Sequence, residues 1–457
     1  MIEFPPRAEH CPFCSLLCEL GDVAEPKGGW NVLTCAKRLA GQSQAAELRR
    51  ARELHATGER TLSSVRDFVS ARSWLQSAER VLVTGRIHSV EVSRRVVEIA
   101  RSLRGTVDRW DSDVAFDTFT AIQTHGAYMT SLAEARDRSD LLLVIGDDSL
   151  LESAPGLPES LSKLRIKDSQ VVDGSQCIDG SQCIDGSQCI DGSQGVEELH
   201  SGERVRSASV LLLGAWGGSG IARWEQAGFS VTAISTQLDT LPRMLSLAMR
   251  EGELQGATSE VSRLLLEATY TTVVWSPKDL LVSHRDLWIG EMMRWILKRN
   301  ETDRIGALVW NDFGSTFHQV CTWTTGYPGR VSFGTDVASY RPGEYSARRW
   351  LERNCRSGSL VLWVDETGGD LPVELERSGV RTIAVGSSGL VACHQGVESS
   401  SEWLRWIPAG VVGVEYAGSM FRGDQTVLAR VQPETAGLVA GGAGVSLTDC
   451  LERLVAR

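Results

Sequence analysis

The sequence is that of an acidic chain with enough apolar content to bury a core. It has 457 residues, of which 42% are hydrophobic and 23% are charged, and its formal net charge is −11. Such a chain lacks the basic face that a general nucleic-acid binder needs. No apolar run approaches the roughly 18 residues of a membrane-spanning helix, and the first residues lack the basic and apolar regions of a secretory signal. We therefore expect a cytoplasmic protein that contacts neither nucleic acid nor a membrane.

The first chemical signal along the chain is a group of four cysteines. Cys11, Cys14, Cys18 and Cys35 are spaced C-x2-C-x3-C-x16-C. In a reducing compartment, clustered cysteines favour metal or redox ligands over disulfides. Zinc sites usually pair their ligands in two short knuckles, whereas three bunched thiolates with a distant fourth suit a cubane iron–sulfur cluster. We predict that these cysteines bind a 4Fe-4S cluster; a zinc site and a motif without a metal are the alternatives.

Residues 1–55 are predicted to form a small module around these cysteines. This stretch has few long apolar runs, so its order should depend on the bound metal. A helix is predicted at Gln42–Arg52, which is rich in residues that favour helices.

Short apolar runs, several of which end in glycine, recur along the rest of the chain. Such runs are typical of parallel strands buried on both faces. After the first run, apolar residues at helical spacing predict a helix over Val92–Leu103, which Gly105 ends. Strands that alternate with helices indicate doubly wound α/β layers, and their number suggests two such layers. The predicted strands are Val81–Gly85, Leu141–Gly146, Val210–Gly214, Val231–Ile234, Thr272–Trp275, Ala307–Trp310, Leu360–Val364 and Thr382–Gly386.

A tandem repeat interrupts this pattern. The hexapeptide D-G-S-Q-C-I occurs three times in succession from Asp173 to Ile190 and is followed by a partial copy. A β-helix needs more turns than this to bury a core. The polar, glycine-rich composition instead predicts a surface loop over residues 173–195.

A glycine-rich segment, Gly214–Gly220, follows one of the predicted strands and precedes a predicted helix. Such a loop can cradle a phosphate at the N-terminus of a helix. The segment does not match G-x-G-x-x-G, so we favour a tight structural turn.

Several sequence blocks together resemble one protein family. Cys11–Cys18 (CPFCSLLC) is similar to the N-terminal cluster motif of the molybdopterin oxidoreductases, and most of all to that of the formylmethanofuran dehydrogenase B subunit. Trp323–Val331 and Tyr340–Tyr345 resemble the T-G-Y-P…Y-x-P-G-E segment of the same family. Gly413–Asp424 resembles its G-x-E-x-x-G-x-x-x-R-x-D segment, and Ala121–Gly126 is a weaker match.

The resemblance implies a fold and a domain order. The fold would be α/β, with a small N-terminal iron–sulfur module, two interleaved doubly wound α/β domains and no C-terminal β-barrel. We expect the module at residues 1–55 and the first α/β domain at 56–136, completed by 301–457. The second α/β domain would span 137–300 and carry the repeat loop 173–195.

One departure from the family bears on catalysis. The catalytic members hold tungsten or molybdenum through a cysteine or selenocysteine shortly before the segment that Ala121–Gly126 matches. Here the corresponding stretch is Val114–Thr118, and no cysteine occurs between Cys35 and Cys177. We therefore expect no catalytic residue in this chain, and we do not expect it to bind molybdopterin with tungsten or molybdenum.

Three further residues have a place in the resemblance. Asp111 or Asp113 could supply an oxygen ligand instead of the thiolate, but acidic residues of a loop are more often solvated. Lys37 lies two residues after Cys35, where related formate dehydrogenases place a lysine between cluster and pterin. The resemblance thus implies a cofactor-binding role for Lys37, and an exposed lysine at a helix start is the alternative.

Two functions follow from the resemblance. One is the non-catalytic B subunit of a formyltransferase/hydrolase complex in tetrahydromethanopterin-linked formaldehyde oxidation, in which other subunits transfer and hydrolyse the formyl group. The other is the B subunit of a tungsten or molybdenum formylmethanofuran dehydrogenase, an oxidoreductase. The missing thiolate favours the first and the retained cluster cysteines favour the second; we favour the first. Both imply partner subunits of the A, C and D types and a methanofuran-like carrier.

The two C-terminal blocks place charged residues within apolar segments. A buried charge without a partner costs several kcal/mol, so we expect these charges to be paired. We also expect the aromatic and charged residues of the blocks to gather on one face with His318. These residues are Trp323, Tyr327, Glu344, Glu415 and Arg422.

Overall fold

The structure is a computed structural model that describes most of the chain. The described residues are 10–12, 14–18, 35–43, 60–162, 208–248, 256–312, 314–335, 337–368, 370–386, 402–433 and 446–456. The repeat at 173–195 lies outside the described residues, as does most of the helix predicted at Gln42–Arg52. Residues 36–43 are helical. No helix in the described ranges combines the length and the apolar character needed to cross a membrane.

Helices and strands alternate along the described ranges. The helices are α1 (Arg60–Ser77), α2 (Val90–Ser102), α3 (Asp113–His125), α4 (Leu132–Arg138), α5 (Ser149–Ser153), α6 (Leu157–Leu161), α7 (Gly218–Gln226), α8 (Leu241–Ala248), α9 (Ala257–Glu267), α10 (Arg285–Arg299), α11 (Gly314–Thr325), α12 (Ala347–Asn354), α13 (Val373–Ser378) and α14 (Leu447–Val455). The strands are β1 (Arg80–Arg86), β2 (Thr106–Val107), β3 (Leu141–Asp147), β4 (Ser209–Ala215), β5 (Ser230–Ser235), β6 (Tyr270–Trp275), β7 (Arg304–Val309), β8 (Val331–Ser332), β9 (Ser339–Tyr340), β10 (Ser359–Asp365), β11 (Arg381–Gly386), β12 (Leu404–Pro408), β13 (Gly418–Phe421) and β14 (Leu428–Val431).

A seven-stranded sheet forms the first α/β domain. Its strand order is β12-β11-β10-β1-β2-β8-β9. The strands from β12 to β2 are parallel, and β8 and β9 add two short antiparallel pairings at one edge. β1 pairs with β10 along its whole length, from Arg80 opposite Ser359 to Arg86 opposite Asp365. Strands from two distant parts of the chain therefore build one sheet.

A five-stranded parallel sheet forms the second domain. Its order is β5-β4-β3-β6-β7, and its strands come from the middle of the chain. Along β3, Leu141, Leu143 and Ile145 pack into one core, whereas Leu142 and Val144 pack into another. This alternation is that of a strand covered on both faces, which explains its continuous apolar sequence. The second domain is inserted into the first, as the interleaved fold predicts.

The strands and the first helix predicted from the sequence are present. Each of the eight predicted strands overlaps one of the strands from β1 to β11. Helix α2 occupies the predicted stretch after β1. Its N-cap, Ser89, accepts a hydrogen bond from the backbone N–H of Val92, and the helix ends before Gly105, whose N–H donates to the carbonyl of Ala100.

The predicted domain boundary at residue 300 is wrong by one strand. β7 pairs with β6, from Arg304 opposite Tyr270 onward, so the second domain continues to the end of β7. Helix α3 also departs from its predicted place in the first domain, because its residue Ala121 packs into a core of the second sheet. A strand pattern predicts the strand but does not identify the sheet that it joins.

A two-stranded antiparallel sheet packs against the cysteine segment. β13 and β14 pair from Gly418 opposite Val431 to Phe421 opposite Leu428. The buried residues Met420 and Val431 of this hairpin share an apolar cluster with Leu17. The C-terminal hairpin thus supports the N-terminal cysteines.

Candidate functional site

The carboxyl ends of strands from both sheets line one cavity of about 430 Å³. His88 follows β1 and Glu366 follows β10 in the first sheet, while Lys278 follows β6 and Asp312 follows β7 in the second. In open α/β sheets, ligands bind outside the carboxyl ends of the strands. This cavity is therefore the candidate functional site, and it lies between the two domains.

The cysteine segment forms another wall of this cavity. Cys14 and Ser15 line it together with Lys37 from the helical residues 36–43. The backbone N–H of Cys11 donates to the carbonyl of Cys18 at 2.8 Å, which closes the segment into a loop. Cys11, Cys14 and Cys35 are buried, and Cys18 is partly exposed.

The four predicted cluster ligands lie close enough to interact electrostatically. Burial raises the pKa of Cys14 to about 12, and the charges of Cys11 and Cys35 add to the increase. Burial and the other three thiols also raise the pKa of Cys18. Such thiols resist ionisation on their own, whereas a metal centre would hold them as thiolates. The donor set fits an iron–sulfur cluster, although no three His, Cys, Asp or Glu side chains in the described ranges already surround one metal position.

Lys37 lies at the junction between the cysteines and the cavity. Its side chain lines the cavity next to Cys14, and its positive charge opposes in small part the rise that burial causes in the pKa of that thiol. Lys37 is also exposed and close to the start of its helix. This location agrees both with a cofactor-binding lysine and with an exposed lysine at a helix start, so the cofactor-binding role stays a prediction.

A group of polar side chains joins the two domains, and in it Arg109 and His88 are buried while Asp312 is partly exposed. Arg109 Nη2, after β2, lies 3.4 Å from Asp312 Oδ2, after β7, and 3.3 Å from His88 Nε2. Burial and the charge of Arg109 lower the pKa of His88, so its ring is neutral near pH 7. Burial opposes ionisation of Asp312, but Arg109 outweighs this effect and the pKa of Asp312 is lowered.

Glu366 fixes the turn that follows β1. Its Oε2 accepts the backbone N–H groups of His88 at 2.5 Å and Ser89 at 2.9 Å. Its Oε1 accepts the hydroxyl of Ser89 at 2.6 Å. Burial nevertheless raises the pKa of Glu366 to about 7. This carboxyl therefore positions His88 and can hold a proton near neutral pH.

A second cavity, of about 320 Å³, adjoins the first. Lys278, Trp310 and Asp312 line both cavities. Counting back from the segment that Ala121–Gly126 matches places Val114 at the position of the metal thiolate in the resembling family, and Val114 lines the second cavity. A valine side chain cannot coordinate a metal. The residues present at this position therefore do not fit tungsten or molybdenum.

The two acidic residues considered as substitute ligands are both engaged in ion pairs. Asp111 pairs with the buried Arg109, and Asp113 pairs with Arg330. Arg330 is also held by Asp108 at 3.8 Å. Neither Asp111 nor Asp113 belongs to a metal-ligand group in the part of the chain that the structure describes.

The two glutamates of the C-terminal blocks have partners close to them in sequence rather than His318. Glu344 is exposed and pairs with Arg341 at 3.2 Å. Glu415 accepts the backbone N–H of Val411 at 2.9 Å instead. The two blocks meet where the ring of Trp323 packs edge-on against that of Phe421, with ring centres 5.7 Å apart.

The expectation that the charged residues meet partners is confirmed. Arg422 lies 2.6 Å from the buried carboxylate of Asp424, which lines the second cavity. Tyr327 stacks on Tyr340 with ring centres 4.7 Å apart, and Trp323 is 57% exposed.

The glycine-rich segment Gly214–Gly220 forms a structural turn. Asp148 Oδ1 accepts the backbone N–H of Gly217 at 3.1 Å, and Oδ2 accepts the hydroxyl of Ser219 at 3.1 Å. A carboxylate of the chain itself therefore stands at the N-terminus of α7, where a phosphate would otherwise bind.

Comparison with known sequences supports the family resemblance. No protein-family model matches the chain. Over 110 residues the chain is 29% identical to the B subunit of the tungsten-containing formylmethanofuran dehydrogenase 2 of Methanocaldococcus jannaschii. The resemblance predicted from the motifs is confirmed. The match covers 24% of this chain and spans 23% of that relative's length.

The fold also has a counterpart among solved structures. One chain of the formyltransferase/hydrolase complex (FhcABCD) of Methylorubrum extorquens, solved by crystallography with methylofuran, superposes with a TM-score of 0.63. The two chains are 18% identical, and the match covers 86% of this chain and 94% of that one. At this identity the likeness shows the fold, and the predicted α/β architecture is confirmed.

The polar and charged group at the strand ends was not predicted from the sequence. The members are His88, Arg109, Lys278, Asp312 and Glu366. All except Arg109 follow a predicted strand by a few residues, and that position was the available signal; Arg109 follows β2, which is too short to show a pattern.

Proposed function

We propose that the chain is the non-catalytic, B-type subunit of a cytoplasmic formyltransferase/hydrolase complex. Its partners would be subunits of the A, C and D types, and its carrier a methanofuran-like molecule. The observation that carries the proposal is Val114 at the wall of the second cavity. A redox subunit needs a metal ligand there, and a formyl-transfer subunit does not.

The geometry between the domains supports a scaffold role. Arg109 links the strand ends of the first sheet to Asp312 of the second. An ion pair of this kind, with Arg109 buried, holds together the elements that it joins. Formyl transfer and hydrolysis need no electron path, so partner subunits can perform them with a zinc-type site and acid–base groups.

The cysteine segment would complete this scaffold. Cys11, Cys14, Cys18 and Cys35 would hold a 4Fe-4S cluster, which when bound would cross-link the N-terminal loop to the helical residues 36–43. Lys37 would contact the cluster from the cavity side. In this proposal the cluster stabilises the fold of the chain.

A second candidate is the B subunit of a tungsten or molybdenum formylmethanofuran dehydrogenase. The four retained cysteines favour it, because an iron–sulfur cluster serves electron transfer. The partial sequence match to a tungsten-containing relative also favours it. The alkyl side chain of Val114 opposes it.

The test uses the complex purified with its partner subunits. We expect it to release formate from a formylated carrier and not to reduce viologen dyes with that substrate. Val114→Ala and Asp117→Asn should leave formate release within about twofold, because neither residue would meet the reacting atoms. Dye reduction that tracks bound tungsten or molybdenum would overturn the proposal in favour of the dehydrogenase.

A further inference from the structure

The C-terminal hairpin has its β13 edge covered by neighbouring helices. The backbone N–H of Ser419 donates to Glu91 Oε2, at the start of α2, at 2.9 Å. The backbone N–H of Phe421 donates to the hydroxyl of Thr316, on α11, at 3.0 Å. These two N–H groups point away from β14, so side chains of two helices satisfy the outer edge of β13. In the described part of the chain, no third strand joins the hairpin.

The edge of β14 has outward backbone groups without a partner. In an antiparallel pair, residues that bond across the ladder alternate with residues whose N–H and C=O groups point away from it. The N–H of Arg422 donates to the carbonyl of Val427 at 2.9 Å, and this pair sets the alternation. Leu428 and Arg430 therefore turn their backbone groups outward. No described residue bonds to these outward groups.

The exposed face of the hairpin carries apolar side chains beside a charge. Leu428, which is 49% exposed, and Arg430 lie two residues apart and so share one face of β14. Phe421 stands opposite Leu428, and the ring of Trp323 packs against that of Phe421. Arg430 is exposed and has no carboxylate partner within the described ranges. An exposed aromatic and aliphatic cluster beside a charge is typical of a protein-binding surface.

An added strand would meet the needs of both the edge and the face. An extended segment beside β14 can donate to and accept from the outward backbone groups. Its side chains on the exposed face would lie about 5 Å from those of β14. An apolar side chain suits the place opposite Leu428, and a carboxylate suits the place opposite Arg430. A second copy of β14 would bring no carboxylate, because residues 426–433 contain neither Asp nor Glu.

We propose that β14 is the docking edge for an extended strand of a partner subunit. On one face, that strand would carry an apolar residue and, two positions away, an acidic residue. The inference rests on the proposed function, because the partner would be another subunit of that complex. The other face of the strand would extend the apolar cluster in which Val431 meets Leu17. The partner would thereby stabilise the hairpin that supports the cysteine segment.

Hydrogen exchange at single backbone amides tests the added strand. It is measured by mass spectrometry with electron-transfer fragmentation, on the full-length chain alone and on the complex purified with its partners. The amides of Leu428 and Arg430 should exchange at least about tenfold more slowly in the complex, because an added strand protects them. The amide of Ala429, which bonds within the hairpin, should be protected in both samples.

Three results of this experiment would overturn the proposal. Fast exchange of Leu428 and Arg430 in the complex would show that no strand covers the edge. Slow exchange in the chain alone, independent of protein concentration, would show that a segment of this chain covers it. Slow exchange that increases with protein concentration would show a second copy at the edge.

Matched charge reversals test the side-chain contact. Arg430→Glu should weaken partner binding about threefold to tenfold at low salt, because it places a carboxylate opposite the partner's acidic residue. Arg304→Glu is the control, since Arg304 is also exposed and begins β7, at the edge of the other sheet. It should leave partner binding unchanged. Equal weakening by the two reversals would contradict the assigned contact.

A second matched pair tests the apolar contact. Leu428→Asp should weaken partner binding, whereas Leu266→Asp, at an exposed position on α9, should not. Both variants should keep the Tm of the full-length chain alone, because both side chains are exposed. A lower Tm in Leu428→Asp with unchanged partner binding would show a structural leucine and contradict the docking edge.

The docking edge and the proposed function fail in different ways. An unprotected β14 in a complex that releases formate would overturn the docking edge alone. Dye reduction by a complex in which Leu428 and Arg430 are protected would overturn the proposed function and leave the docking edge in place.

Discussion

The backbone N–H of Gly423 donates a hydrogen bond of 2.8 Å to the carbonyl oxygen of Ser15. The carbonyl of Gly423 in turn accepts the N–H of Asn311 at 2.9 Å. The cysteine segment, the C-terminal hairpin and the end of β7 are thus joined through one residue. Because Ser15 and Asn311 both line the first cavity, the same contacts position the cysteines and shape that cavity.

Adding a side chain at Gly423 should loosen this junction. A Cβ atom there would lie 2.6 Å from Cε2 of Trp310 and 2.7 Å from the carbonyl oxygen of Asn311. Gly423→Ala should lower the free energy of unfolding by about 1–3 kcal/mol, as overpacking does. It should also speed thiol labelling of Cys14. The control is Gly218→Ala, whose Cβ would meet nothing within 4 Å; an equal loss there would contradict this account.

Glu366 should make the fold less stable as the pH rises. Burial raises its pKa from 4.5 to about 7, so the folded state retains a proton that the unfolded state releases. The resulting stabilisation is complete below about pH 4.5 and is lost as the pH rises through about 7. Glu366→Gln keeps the shape and stays neutral, so it should remove about 3 kcal/mol of this pH dependence. Urea unfolding measured across this pH range tests it.

Two further variants make this test specific. Asp108 is buried and its pKa is also raised to about 7. Asp108 should therefore account for part of the change in unfolding free energy with pH that remains in the Glu366→Gln variant. Glu344 forms an exposed ion pair with Arg341, so Glu344→Gln should leave the pH dependence of the unfolding free energy the same as in the unmodified chain. If the pH dependence of the unfolding free energy were unchanged in Glu366→Gln, Glu366 would ionise in the same pH range in the folded and unfolded states.

Loss of Arg422 should destabilise folding. Its Nε and Nη2 bind Asp424 at 2.9 Å and 2.6 Å, and Asp424 also accepts the backbone N–H of Leu132 at 2.9 Å. Arg422→Ala leaves a buried carboxylate without its cation, which should cost about 3 kcal/mol in denaturant unfolding. Arg341→Ala, in an exposed ion pair, should cost less than about 1 kcal/mol. If both variants lost a similar amount of unfolding free energy, the burial of Asp424 would not be the cause of the loss in Arg422→Ala.

Removing one cluster cysteine should release iron. Cys14→Ser, assayed after anaerobic purification, should lower the iron content per chain, because a hydroxyl replaces one of four thiolate ligands. Cys355→Ser is the control, since Cys355 is exposed and outside the cysteine segment. Iron content that is the same in Cys14→Ser and the unmodified chain would contradict a cluster at this site. Zinc in place of iron would support the zinc alternative.

The sequence predicts the strands of this fold better than their partners. Buried parallel strands carry continuous apolar runs, and so the strands at Leu141–Gly146 and Leu360–Val364 were predictable from local pattern. β2 and β8 have two residues each, too few to show any pattern. Membership of a sheet depends on pairing between distant residues, which is why β7 was assigned to the wrong domain.

The candidate site was predictable only in its cysteines. Their spacing is a local signal, whereas the contact between Glu366 and His88 joins residues 278 positions apart. The unpartnered state of His318 Nε2 is likewise a product of packing, since its other nitrogen is held by Pro328. Such relationships require the folded structure.

We expect this chain to carry no catalytic tungsten or molybdenum. Elemental analysis of the complex, purified from cells supplied with both metals, tests it most directly. We expect neither metal in stoichiometric amount, because Val114, at the position that the resemblance assigns to the thiolate ligand, cannot coordinate a metal. One atom of tungsten or molybdenum per chain would contradict the account.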